Sequence, residues 1–178
     1  MENHLDLALW LDNSIVIRQN KLKADFLDLF EQVGNTFSNK KLTSFFANSK
    51  GKKISKGNQL HGFPYLVLDF VRDFNLDSGC NIRLVSWFGH GLFCCVYFGK
   101  NVSHASDLFL ESGFQLGRED KPWDLKLQLE VLKANRSIPK VDSKSKLWIK
   151  QIQLPITKKQ CLQILKEEVN YILKVKIN

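Results

Sequence analysis

Long apolar runs are missing from this sequence. The longest, Leu7–Leu11 and Leu92–Phe98, fall far short of the ~18 residues that a membrane-crossing helix needs. No helical span is therefore expected. The first residues carry Glu2 and Asp6 where a signal peptide carries Lys or Arg. A cytoplasmic location is the resulting expectation.

Cysteine is sparse and badly spaced for metal. Of the four, Cys80 and Cys161 stand alone, while Cys94 and Cys95 are neighbours in an apolar run. Successive side chains on a strand point to opposite faces, so this pair is poorly placed to share one ion. No Cys-x-x-Cys or Cys/His spacing of a zinc site occurs. Four buried, reduced thiols acting as small hydrophobes are expected. His4, His61, His90 and His104 all lie more than four residues apart, so they form no local metal pair either.

Catalytic signatures are also lacking. Gly89-His90-Gly91 has neither the third glycine nor the following helix of a phosphate-binding loop. It reads instead as a turn that uses glycine's tolerance of positive φ. There is no Gly-x-Ser-x-Gly elbow, no His-Glu-x-x-His and no EF-hand loop. Nothing in the sequence implies a cofactor or a metal.

Arginine is scarce: Arg18, Arg72, Arg83, Arg118 and Arg136 are the five among 26 basic residues. The net charge of +8 is unevenly spread. Residues 40–56 hold six Lys and no acid, and residues 140–178 hold nine Lys against three acids. Segments 40–56 and 140–159 therefore raise nucleic acid as a partner, because lysines neutralise phosphates and release counterions. Stacking on bases needs exposed aromatics. Phe45 and Phe46 look like core, which leaves Trp148, and few arginines remain for forked phosphate contacts. A solvated lysine-rich surface is the plainer reading.

What is present is an ordinary globular composition, 44% apolar and 25% charged over 178 residues. That fits one domain, residues 1–178. Its centre is Asn81–Lys100, two β-rich runs of about 82–88 and 92–98 folded back at Gly89-His90-Gly91. Trp87, Phe88, Phe93 and Tyr97 supply core there. A short helix is expected over Leu5–Leu11, with Asn13-Ser14 breaking it. Leu22, Phe26, Leu29, Phe30, Val33 and Phe37 recur at helical spacing. A short helix around Leu42–Phe46 follows, and Lys50–Asn58 reads as a polar, mobile connector.

The run 65–71 is open between strand and helix. Leu125, Leu127, Leu129 and Val131 alternate with polar residues, the period of a half-buried strand, although Leu, Lys, Gln and Glu favour helix. Residues 147–154 read as a strand. Thr157 is a candidate N-cap for a closing helix with Cys161, Leu165, Val169 and Ile172 on its inner face. Helices early, strands in the middle and a helix at the end favour α+β: an antiparallel sheet around the hairpin 82–98, with N-terminal and C-terminal helices packed on it.

Polar candidates cluster near that hairpin. Arg83 inside a strand needs a partner if buried, and Asp69 or Asp73 is the expected one. The alternative is an anion site, since Arg holds carboxylates with two parallel hydrogen bonds. His61 beside Asp69 or Asp73 would make an acid/base pair, and Arg72 stands close by in sequence. His90 tops the turn. The loop Arg118–Asp124, with Arg118 and Trp123, is of a kind that carries binding residues. The expected function is a small non-enzymatic domain that binds a protein partner or itself. Nucleic-acid binding through the lysine segments, and an enzyme or small-ligand site at His61, Asp69, Asp73 and Arg83, are the alternatives.

Overall fold

The computed structural model describes residues 4–118, 121–134 and 146–174. In chain order it contains α1 (Leu7–Trp10), α2 (Asn13–Asn35) and α3 (Asn39–Phe45), then β1 (Lys53–Leu60), β2 (Phe63–Arg72), β3 (Cys80–Trp87) and β4 (Gly91–Phe98). After these come α4 (Ser106–Glu111), β5 (Gln115–Leu116), α5 (Leu125–Ala134), β6 (Lys146–Ile152) and α6 (Lys158–Ile172). The strands form one antiparallel sheet in the order β1-β2-β3-β4-β6-β5. This is the expected α+β fold around the expected hairpin, with Ile82 opposite Val96 and Val85 opposite Phe93.

Both faces of the sheet are apolar, because alternate residues of the central strands point opposite ways. One face presents Leu66, Leu68, Ile82, Leu84, Cys94 and Val96 to α2, α3, α4 and α6. The other presents Val67, Val85, Trp87, Phe93, Cys95 and Tyr97 to α5. Cys94 and Cys95 accordingly belong to different cores. A bulge in β2 between Asp69 and Val71 turns both Phe70 and Val71 toward the larger core.

Three expectations change. Lys50–Asn58 is no loop: β1 occupies most of it, pairing Ile54 with Leu68 and Lys56 with Leu66. It is an edge strand, and lysines on an edge deter pairing with other chains, so its polarity imitated a connector. Residues 125–134 are helical rather than extended. Leu125, Leu129 and Leu132 fall on one helical stripe against the sheet, and Asp124 accepts a hydrogen bond from the Leu127 N–H at the helix start. Asn13-Ser14 lies inside α2 instead of ending a helix. The break falls at Leu11-Asp12, where the Asp12 carboxylate accepts from the N–H groups of Ser14 and Ile15.

Helix α2 spans 23 residues, about 34 Å at 1.5 Å per residue. Only its second half meets the sheet: Leu29, Phe30, Val33 and Gly34 are buried, and nothing before them is. Phe26 rests on Phe88 beside the β3–β4 turn, ring centroids 6.0 Å apart. Residues ahead of that contact overhang the sheet.

Candidate functional site

The sequence-derived residues do not share one site. Arg83 pairs with Asp69 directly across β2 and β3, Nη2 to Oδ1 2.9 Å and Nε to Oδ1 3.0 Å. Asn81 donates to the same oxygen at 3.1 Å. The guanidinium carbon lies 4.9 Å from the Trp123 ring and 5.3 Å from the Phe74 ring, and Tyr97 packs on Trp123. One edge of the guanidinium, Nε and Nη2, is thus held by Asp69, and two rings that pack on each other 5.3 Å apart lie to one side of it, an arrangement that ties the charge to the sheet.

A second group gathers at the hairpin tips. His90 stacks on Trp87 at 3.9 Å, and His61 lies 5.8 Å from the same ring. His61 pairs with Asp124 at 3.6 Å, rather than with Asp69 or Asp73 as its sequence neighbourhood implied. The reason is topological: the β1–β2 turn carries His61 to one end of the sheet, while β2 delivers Asp69 and Asp73 toward the other. Asp73 caps a turn by accepting from the Asn75 N–H. Arg72 donates to the Lys50 carbonyl at 3.0 Å. The backbone of Arg118 is clamped by Gln128, which accepts from its N–H and donates to its carbonyl.

Two polar arrangements escaped the sequence. His104 stacks on Phe98 at 4.3 Å and accepts from Trp148 Nε1 through Nε2 at 3.0 Å. Ser106 Oγ lies 3.3 Å from that same nitrogen, but its lone pair is already taken by the indole. The contact therefore lacks the free base that activates a serine. Burial holds the imidazole below its ordinary pKa. Lys150 and Glu168 form the other arrangement, a 2.7 Å pair on the helical side. Both join residues far apart in the chain, and no local spacing marks either.

Among the described residues no cluster of three or more His, Cys, Asp or Glu is placed to hold a metal. The cysteines are free and buried, and burial pushes the Cys95 thiol up to about 12. No described helix is long and apolar enough to cross a membrane.

Several lysines of the two basic segments are tied into the fold. Lys52 donates to the carbonyls of Gly34 and Phe37, closing the end of α2. Lys41 reaches Asn170 Oδ1 at 2.7 Å. Lys158 pairs with Asp25 and Asp28, and its amino group holds the Asp28 carboxyl below the ordinary range. Lys140 and Lys144 lie outside the described residues.

A further place, which the sequence did not single out, is the overhang itself. Leu5, Leu7, Leu9, Trp10, Leu11, Ile15, Val16, Ile17 and Leu22 are all solvent-exposed, Trp10 at 76% and Leu5 at 83%. Asp6 caps α1 by accepting from the Leu9 N–H, and Asp12 caps α2, so the arm is helical in two pieces with an elbow between them. At its root two open grooves flank α2. One, about 510 Å³, is bordered by Lys23, Leu27, Lys56, Tyr65 and Phe88. The other, about 250 Å³, is bordered by Leu22, Phe26, Phe88, Leu92 and Ile152.

No protein-family model, curated protein or solved structure matches this chain. The functional reading therefore rests on the geometry alone. Periodicity found the inner stripe of α2, but the same period continues into residues that meet nothing. Only the end of the sheet separates the two halves.

Proposed function

We propose that this chain is a non-enzymatic association module, and that it pairs with a second copy of itself through the arm Leu5–Leu22. One observation carries the reading: two capped helical pieces and their elbow leave nine large apolar side chains exposed. Their exposed surface amounts to about five whole residues, on the order of 1,000 Å². A standard-size interface takes about 800 Å² from each partner, and a lone soluble domain seldom exposes a patch above roughly 600 Å². Buried free thiols fit a reducing, cytoplasmic setting.

Nucleic-acid binding has less support, because Lys41, Lys52, Lys150 and Lys158 already have partners within the fold. The enzymatic alternative needs His61, Asp69, Asp73 and Arg83 in one cleft, whereas Asp69 and Arg83 bond to each other, His61 pairs with Asp124 and Asp73 caps a turn.

Sedimentation equilibrium of the full chain over a wide concentration range tests the proposal. The expected mass climbs from 20.6 kDa toward twice that value. The triple substitution Leu7→Glu, Trp10→Glu and Ile17→Glu is expected to remain monomeric with an unchanged circular dichroism spectrum. A wild-type chain that sediments as a monomer throughout refutes the reading.

A further inference from the structure

Resting on that self-association, the geometry points to where the arm lands: we infer that each copy's arm lies in the groove bordered by Lys23, Lys56, Tyr65 and Phe88 of the other copy, with the two α2 helices antiparallel.

Charge selects this groove. The piece of the arm that enters the groove, Leu5–Asp12, holds Asp6 and Asp12 and no Lys or Arg, with Arg18 and Lys21 following later in the arm; two lysines border the larger groove and none borders the smaller. The groove floor supplies the apolar contact that the arm lacks, through Leu27, Tyr65 and Phe88. A dimer of identical chains with a two-fold axis uses the same patch on both copies. If the arm of one reaches the α2 root of the other, the converse contact forms as well. The axis then falls midway between Asp12 and Lys23.

The lengths agree. From Asp12 to Lys23 is eleven residues, about 16 Å along a helix. An antiparallel partner displaced by that distance sets Asp12 beside Lys23 and carries α1 past it toward the Lys56 edge. Both acids are helix caps, so their carboxylates stand at helix starts and at the elbow, away from the apolar stripe. Polar groups at the rim of an apolar contact set register and steer encounter.

The same charges argue against a lipid surface as the occupant. The arm's charges balance, Asp6 and Asp12 against Arg18 and Lys21, so it lacks the Lys-rich and Arg-rich face that anionic headgroups attract.

The full-length Lys23→Glu/Lys56→Glu variant, measured by sedimentation velocity at low salt, is the test. Its dimer dissociation constant is expected to rise at least about tenfold. Adding Asp6→Asn and Asp12→Asn, which keep a capping oxygen, is expected to recover much of that loss, because the repelling pairs are gone. A dimer indifferent to the lysine reversals overturns the groove contact while leaving self-association intact. A wild-type monomer overturns both. Wild-type chain that floats with anionic or neutral phosphatidylcholine vesicles, in preference to dimerising, overturns both in favour of a membrane surface.

Discussion

Asp69 and Arg83 stand opposite each other on β2 and β3, and a single carboxylate oxygen accepts from Arg83 Nε, Arg83 Nη2 and Asn81 Nδ2. Both side chains are largely removed from water, 7% and 17% exposed. Removing one member of a buried pair strands the other charge, which is costly, whereas replacing both with apolar groups is often neutral. Asp69→Asn is therefore expected to lower unfolding stability by about 3 kcal/mol. The double change Asp69→Leu/Arg83→Met is expected to recover most of that loss. Urea denaturation of the two variants decides it. Equal losses in both would show that the pair's packing matters more than its charge.

His104 gives the protein a pH-sensitive element. Its imidazole is held neutral by burial, with Nε2 accepting from Trp148, and Lys146 adds repulsion against its protonation. The folded-state pKa lies below the unfolded value of about 6.5, so the unfolded chain binds the proton more tightly. The contribution is complete above pH ~6.5 and declines as pH falls toward the folded value. His104→Phe is expected to flatten that slope of melting temperature against pH. A slope unchanged by the substitution assigns the acid sensitivity elsewhere.

Gln128 is fully buried and makes three hydrogen bonds, to the Arg118 N–H, the Arg118 carbonyl and the Lys121 carbonyl. Replacement by Leu keeps the volume and deletes every one of them. A loss of about 1–3 kcal/mol is expected, along with faster hydrogen exchange at the Arg118 amide. Gln128→Glu would retain an acceptor for that amide and lose both donors, so it should fall between the two if the carbonyl contacts carry the energy.

The arm should be nearly irrelevant to the stability of the monomer. Leu7→Ser and Ile17→Ser remove exposed side chains, and surface changes of this kind usually stay within about 0.5 kcal/mol. Phe30→Ala, on the inner half of the same helix and fully buried, is expected to cost about 3–5 kcal/mol. Denaturation at the lowest workable concentration separates folding from association. A large loss on Leu7→Ser there would make the arm part of the monomer's core.

Residues near one another in the chain were readable. The turn at Gly89–Gly91, the two apolar β-rich runs within Ile82–Phe98 and the Thr157 cap each express a local rule, and the structure keeps all three. Edge strand β1 was misread because its exposure suppresses the apolar signal that marks a strand. Helix α5 imitates a strand because Leu125 and Leu129 fit both a two-residue alternation with Leu127 and the helical stripe that Leu132 continues. His61 met Asp124 rather than Asp69 for a similar reason, since a turn at the sheet's end determines which distant residue arrives.

Periodicity, charge placement and turn chemistry act over a few residues, so the sequence by itself determined an α+β chain with a greasy central hairpin and a capped closing helix. Which halves of an amphipathic helix find a neighbour depends on where the sheet stops. Strand order and turn placement govern that edge, so the tertiary structure alone decided that Leu29–Val33 became core while Leu5–Leu22 remained bare and open to a partner.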